Sequence, residues 1–129
     1  EKGLAQRIYK PGQVFSRLHV ADIAAAATAL LTRPAWPEDI ALNLADDLPA
    51  PPQDVIEYAA YLLGLAPPPL VTLEEAALSP MARSFYADNK RISAQRARDV
   101  LGWAPAFPSY RAGLSALLKT LPRAGTQST

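Results

Sequence analysis

The sequence predicts an α/β fold of about two parallel strands and a mostly helical remainder. Three observations predict it. Within residues 14–31 the apolar spacing switches from two residues to about 3.6. A second short alternating run, 40–45, leads into another amphipathic stretch. Beyond it the chain is punctuated by cap residues, glycines and prolines at helical intervals.

In chain order, Pro11-Gly12 reads as a turn into the first strand. Val14, Ser16, Leu18 and Val20 face one way; Phe15, Arg17 and His19 face the other. The following helix carries Ile23, Ala26, Ala27, Leu30 and Leu31 as one apolar stripe. Asp22, at the junction, reads as a helix cap or a first-turn acid facing the helix dipole. Pro34 and Pro37 end that helix. In the second strand Ile40, Leu42 and Leu44 share one face and Ala41, Asn43 and Ala45 the other, and the run ends in Asp46-Asp47.

Pro51-Pro52 opens the next helix, with Val55, Tyr58, Ala59, Leu62 and Leu63 as its stripe and Gly64 as its stop. Pro67-Pro68-Pro69 forces an extended link. Thr72 with Glu75 spells a capping box for a short helix through Leu78, and Ser79-Pro80 spells another start. Residues 88–91 read as a polar loop. Ser93 caps a helix that turns Ala97, Val100 and Leu101 inward and stops at Gly102. Trp103 reads as core that docks the last two helices. Ser109 caps the final helix, with Tyr110, Gly113, Leu114, Leu117, Leu118 and Leu121 at helical spacing. The ordered portion is expected over 1–121, with 122–129 as a frayed tail.

Two short strands joined by a helix form a right-handed parallel pair. A parallel sheet needs both faces covered and more than two strands to stand alone. The strands are therefore expected to continue a sheet formed by residues outside this chain.

Composition narrows the function. At 129 residues the chain is one domain at most. It is 50% hydrophobic and 19% charged, which is globular rather than disordered. No run of residues is long and apolar enough to span a membrane. The first residues do not read as a signal or transit peptide. Without cysteine there is no disulfide framework and no thiolate ligand or nucleophile, which suits the cytoplasm. A net charge of +1 singles out neither nucleic acid nor a membrane surface as a partner.

Three stretches then occur in a telling order: Phe15-Ser16-Arg17-Leu18-His19-Val20-Ala21-Asp22-Ile23, Asn43-Leu44-Ala45-Asp46-Asp47, and Leu101-Gly102-Trp103-Ala104-Pro105. Together they resemble the C-terminal half of an extended short-chain dehydrogenase/reductase (SDR), the NAD-dependent epimerase/dehydratase group. Ala21 stands where that family commonly has an acidic residue. The resemblance implies the C-terminal part of a Rossmann-like, doubly wound fold, completed by an N-terminal half that binds NAD or NADP. The glycine-rich phosphate loop of that half is absent from this sequence. The resemblance also implies a small-molecule substrate, a nucleotide sugar or a similar polar compound. A homodimer is an expected assembly. No catalytic residue is assigned here, and the chain alone is expected to be inactive. The alternative is a non-catalytic α+β binding or interaction module.

Five residues are expected to touch substrate. Arg17 offers a guanidinium fork to an anionic or polyhydroxylated ligand, and His19 shares its strand face. Asn43 and Asp46 end the second strand, where ligands bind in open α/β sheets, and loop-entry capping by Asp46 or Asp47 is the alternative there. Asn89 and Arg91 lie in a cationic loop, and Arg91 suits phosphate oxygens. Tyr86 and Lys90 spell Tyr-x-x-x-Lys, the form of a proton donor with its activating cation. Asp88-Asn89 between them favours a turn, so the match reads as coincidence. One histidine and one nearby aspartate do not make a metal site.

Overall fold

The computed structural model describes residues 5–35 and 41–121. Their elements are β1 (Arg7–Tyr9), α1 (Val20–Leu31), α2 (Pro52–Leu62), β2 (Leu70–Thr72), α3 (Pro80–Ser84), α4 (Gln95–Leu101) and α5 (Tyr110–Thr120). The fold class is as expected: mixed α/β, with two parallel strands and five helices among the described residues. The expected tail, 122–129, and Ile40 of the expected second strand lie outside those residues.

The strands themselves are not the expected ones. β1 and β2 pair in parallel with Ile8 opposite Val71. Each is three residues long, too short for an alternating pattern to register in the sequence. The 14–19 stretch is extended but joins no ladder beyond one antiparallel bridge, Phe15 to Ala50. Phe15 and Ala50 exchange backbone hydrogen bonds of 3.0 and 3.2 Å, and Asp46 N–H donates to Arg17 C=O at 2.7 Å. Pro49, Pro51 and Pro52 flank the bridge and carry no N–H, so pairing cannot propagate. Residues 41–45 form no strand either. Their alternation is real, with Leu42 and Leu44 packed on the core and Asn43 exposed, but no neighbour pairs with them.

The helices follow the sequence more closely. α1 begins at Val20, earlier than its apolar stripe suggests, because the His19 side chain caps it by accepting from Ala21 N–H at 3.1 Å. α2 starts on Pro52, and Gly64 follows its end at φ +67°. Ser79 and Ser109 cap α3 and α5 as expected. Gly102 closes α4 in the left-handed conformation. The Thr72/Glu75 capping box forms its reciprocal bonds, but only one turn follows.

Two small cores result. Ile8, Ala76 and Tyr86 form one, beneath the sheet. Ala26, Ala94, Ala97 and Trp103 form the other, with Leu18, Leu42, Leu44 and Leu101 around it. Trp103 thus docks α4 onto α1, not onto α5 as its position suggests. α5 packs on α2, and α2 packs on β1. Arg7 fastens that last contact by pairing with Glu57 at 2.9 Å and donating to Pro68 C=O at 2.8 Å.

Asp22 does not cap α1, which His19 does, but is the acid of its first turn, the other expected reading. It is 1% exposed, and its two carboxylate oxygens accept from the backbone N–H groups of Ala106 (2.7 Å) and Phe107 (3.1 Å). The first turn of α1 therefore holds the loop that follows Trp103. Asp22→Ala should lose roughly 2 to 4 kcal/mol of stability, since two charge-assisted bonds vanish and two donors are stranded. Asp22→Asn, which can accept through one oxygen only, should lose less. Urea unfolding of the intact protein measures both, and unchanged midpoints would refute the clamp.

Candidate functional site

The extended 14–19 stretch holds Arg17 between two cavities. The larger, about 580 Å³, lies between that stretch and α3, and is lined by Phe15, Ser16, Arg17, Met81, Phe85 and Tyr86 among others. The smaller, about 220 Å³, runs from Arg17 and His19 past Asp46 and Phe107 to Tyr110 and Leu114 on α5.

Arg17 is half-buried. Its Nη1 donates to the C=O groups of Phe15 and Ala50, both at 2.9 Å, which fixes the guanidinium across the bridge. Its carbon sits 5.8 Å from the Phe15 ring centroid. Phe15 in turn meets the Tyr86 ring edge-on at 5.3 Å. No carboxylate comes within ion-pair distance of Arg17 among the described residues. Burial lowers the Arg17 pKa, with Asp46 only partly opposing it. Burial likewise raises Asp46, and the Leu48 N–H and Arg17 pull back less strongly. The two charges feel each other without compensating their loss of water.

His19 lines the smaller cavity. Its ring lies tilted on Phe107, centroids 4.1 Å apart. Nδ1 accepts from Ala21, so the neutral ring carries its proton on Nε2. That Nε2 is buried and has no hydrogen-bond partner among the described residues. Gly113 of α5 lets the imidazole approach closely; a Cβ there would lie 3.2 Å from His19 Cδ2.

The other three expected residues do not line either cavity. Asn43 is exposed. Asn89 is a brace: Oδ1 accepts from Val14 N–H at 3.1 Å, and Nδ2 donates to Gly12 C=O at 2.8 Å. Arg91 is exposed on the same loop. Its neighbour Ile92 donates to the Ser16 hydroxyl at 3.0 Å, which sets Arg91 on the rim beside a cleft-lining residue. Lys90 is exposed and pairs with Asp88 at 2.7 Å rather than with Tyr86. Burial raises the Tyr86 hydroxyl pKa, partly opposed by Arg17. Tyr86 and Lys90 thus do not form a donor and its activator.

Sequence reasoning missed Met81 and Phe85, the cleft's outer wall. Their i, i+4 spacing puts them on one helical face, which was the available signal. It also missed Gln13, buried at 1% exposure, which donates to Asp88 C=O at 2.7 Å and ties the 88–92 loop to the extended stretch.

A third, open concavity of about 610 Å³ lies between α2 and α5. Two of its charges, Arg111 and Glu57, are already engaged. Arg111 lies over the Tyr58 and Tyr110 rings, at 5.0 and 5.5 Å, and Glu57 holds Arg7. No group of three or more potential metal ligands converges among the described residues. Among the described residues the glycines offer no dinucleotide cradle, since Gly12 lies in a turn, Gly64 and Gly102 at helix C-terminal ends, and Gly113 inside α5. No helix among the described residues is long and apolar enough to cross a membrane.

Comparison with known proteins finds chains of similar fold and sequence. The fold matches the human epimerase family protein SDR39U1 (isoform 2), solved with NADPH. The TM-score is 0.72 at 19% identity, over 92% of this chain and 40% of that one. A conserved protein of unknown function from Silicibacter pomeroyi DSS is similar with a TM-score of 0.84 and 51% identity, over 91% of this chain and 42% of that one. The chain is also 38% identical over 106 residues to a 3-diazoavenalumate denitrifying reductase from a Streptomyces species, over 78% of this chain and 33% of the reductase. No family model matches. In fold the chain is similar to an epimerase family protein, and in sequence to part of a reductase. It spans about a third of the curated reductase and about two fifths of each solved structure.

The Asp46 shift has a signed consequence. A carboxyl raised above its unfolded value of 3.8 binds its proton more tightly when folded. Its contribution to stability is full below that value and is lost as pH rises through the folded pKa. Glu75 and Asp88 are lowered by hydrogen bonds from Thr72 and Lys90, so their contributions run the other way. The comparison is therefore wild type against Asp46→Asn, by denaturant unfolding between about pH 3.5 and 6. The wild type should gain on the variant as pH falls. A constant difference would show that burial does not govern Asp46.

Proposed function

We propose that this chain is the substrate-side part of an NAD(P)-dependent reductase or epimerase, and that the cleft at Arg17 is one wall of its substrate site. One observation carries the reading: a half-buried guanidinium, fixed by two neutral carbonyls and paired with no carboxylate among the described residues, faces an open cleft of about 580 Å³. Such a group is preorganised for an anion. His19 contributes a second donor through Nε2 in the adjoining cavity. The likeness to a reductase and to a structure holding NADPH supports hydride chemistry as the reaction class.

The cofactor, NAD or NADP, is held in this proposal by the part of the protein that corresponds to the rest of its relatives' length. This chain's residues bind and orient substrate and supply no catalytic step of their own. A nucleotide sugar is one anion of suitable class, and Arg91 on the rim is the group that a longer ligand of that kind would meet. A cytoplasmic setting belongs to the same proposal.

The test uses the intact protein. A library of nucleotide sugars and other small anions is screened by thermal shift, and each hit is titrated against wild type and Arg17→Gln. The variant should weaken the hits tenfold or more, as loss of a charge-assisted contact does (about tenfold or above), while NADPH affinity stays the same. Hits indifferent to Arg17→Gln would sink the proposal. So would a matching loss of NADPH affinity, which would place Arg17 on the cofactor instead.

A further inference from the structure

The cleft is apolar apart from a single charge. Arg17 lines it, with the Phe15 ring beside the guanidinium. Its walls are Leu78, Met81, Phe85 and Tyr86. Met81 and Phe85 are 74% and 64% exposed, an apolar rim that gains by being covered. Its serine hydroxyls are partly used already, Ser16 accepting from Ile92 N–H and Ser79 from Ala82 N–H. A sugar with several hydroxyls would lose water here and find few partners. A diphosphate would meet one guanidinium with two N–H groups already committed.

We propose that the ligand of this cleft is a carboxylate carried on a flat, apolar, conjugated body. The carboxylate meets the free edge of Arg17, since Nε and Nη2 donate to nothing among the described residues. The body lies along Phe15 and Tyr86, with Met81 and Phe85 over it. The cavity volume suits a body of one or two rings. This inference rests on the substrate-wall reading above and narrows it.

Cinnamate, cinnamamide and UDP-glucose are the probes, titrated by calorimetry into the intact protein with NADPH present. Cinnamate should bind, and cinnamamide about tenfold or more weakly, because it keeps the body and loses the charge. Arg17→Gln should weaken cinnamate by a similar factor. Phe85→Ser, at an exposed position, should weaken it severalfold with no change in unfolding midpoint, which keeps the test valid if Arg17→Gln does not fold. Equal binding of acid and amide, or no binding of cinnamate, overturns the proposal. If UDP-glucose alone binds and depends on Arg17, the ligand class is wrong but the substrate wall stands. If no probe depends on Arg17 or Phe85, both fall.

Discussion

The Asp22 carboxylate holds together parts of the chain that have no other reason to meet. It leaves the first turn of α1 and accepts two backbone N–H groups more than eighty residues downstream, at Ala106 and Phe107. That clamp sets the loop between α4 and α5. With the loop fixed, Trp103 can bury itself against Ala26 and Ala97. Phe107 can lie on His19, and Ser109 stands where it caps α5. A helix N-terminus suits a negative charge, so the dipole of α1 favours the same carboxylate that the loop needs. One ion thus serves two elements, and the smaller cavity beside His19 exists because of it.

The site depends on a second constraint, the proline-flanked bridge between Phe15 and Ala50. A longer ladder would have enclosed the 14–19 stretch in a sheet. Prolines on the partner stop the pairing after one bridge. Two carbonyls, of Phe15 and Ala50, then converge on Arg17 Nη1 and pin the guanidinium. The 88–92 loop lies along the other edge, held by Asn89, Gln13 and Ser16. Asn89 was expected at a ligand; it spends both ends of its amide on backbone instead. The cleft is thus framed by side chains that replace missing sheet hydrogen bonds.

Exposed apolar surface recurs where this framing ends. Ile23 and Leu31 of α1 remain exposed although they belong to the stripe that signals the helix, and Val20 at its start is exposed as well. Periodicity reports that a face is apolar, not what covers it. The same holds for Met81 and Phe85 at the rim of the Arg17 cleft.

Local chemistry made the helices and their ends legible in the sequence. Ser79, Ser109, Pro52, Gly64 and Gly102 act within a few residues of themselves, so their roles need no tertiary knowledge. Arg17 and His19 were legible as neighbours because they are two residues apart on an extended stretch. The strands were not legible. Each is three residues, and what makes 7–9 and 70–72 strands is their pairing with each other across 63 residues. The roles of Asp22, Asn89 and Trp103 were decided at similar distances, by partners 84, 75 and 77 residues away. The sequence by itself determined where helices start and stop and which side chains carry charge. Only the tertiary structure decided which of those charges face a cleft and which are spent holding the chain together, because that depends on contacts no local pattern encodes.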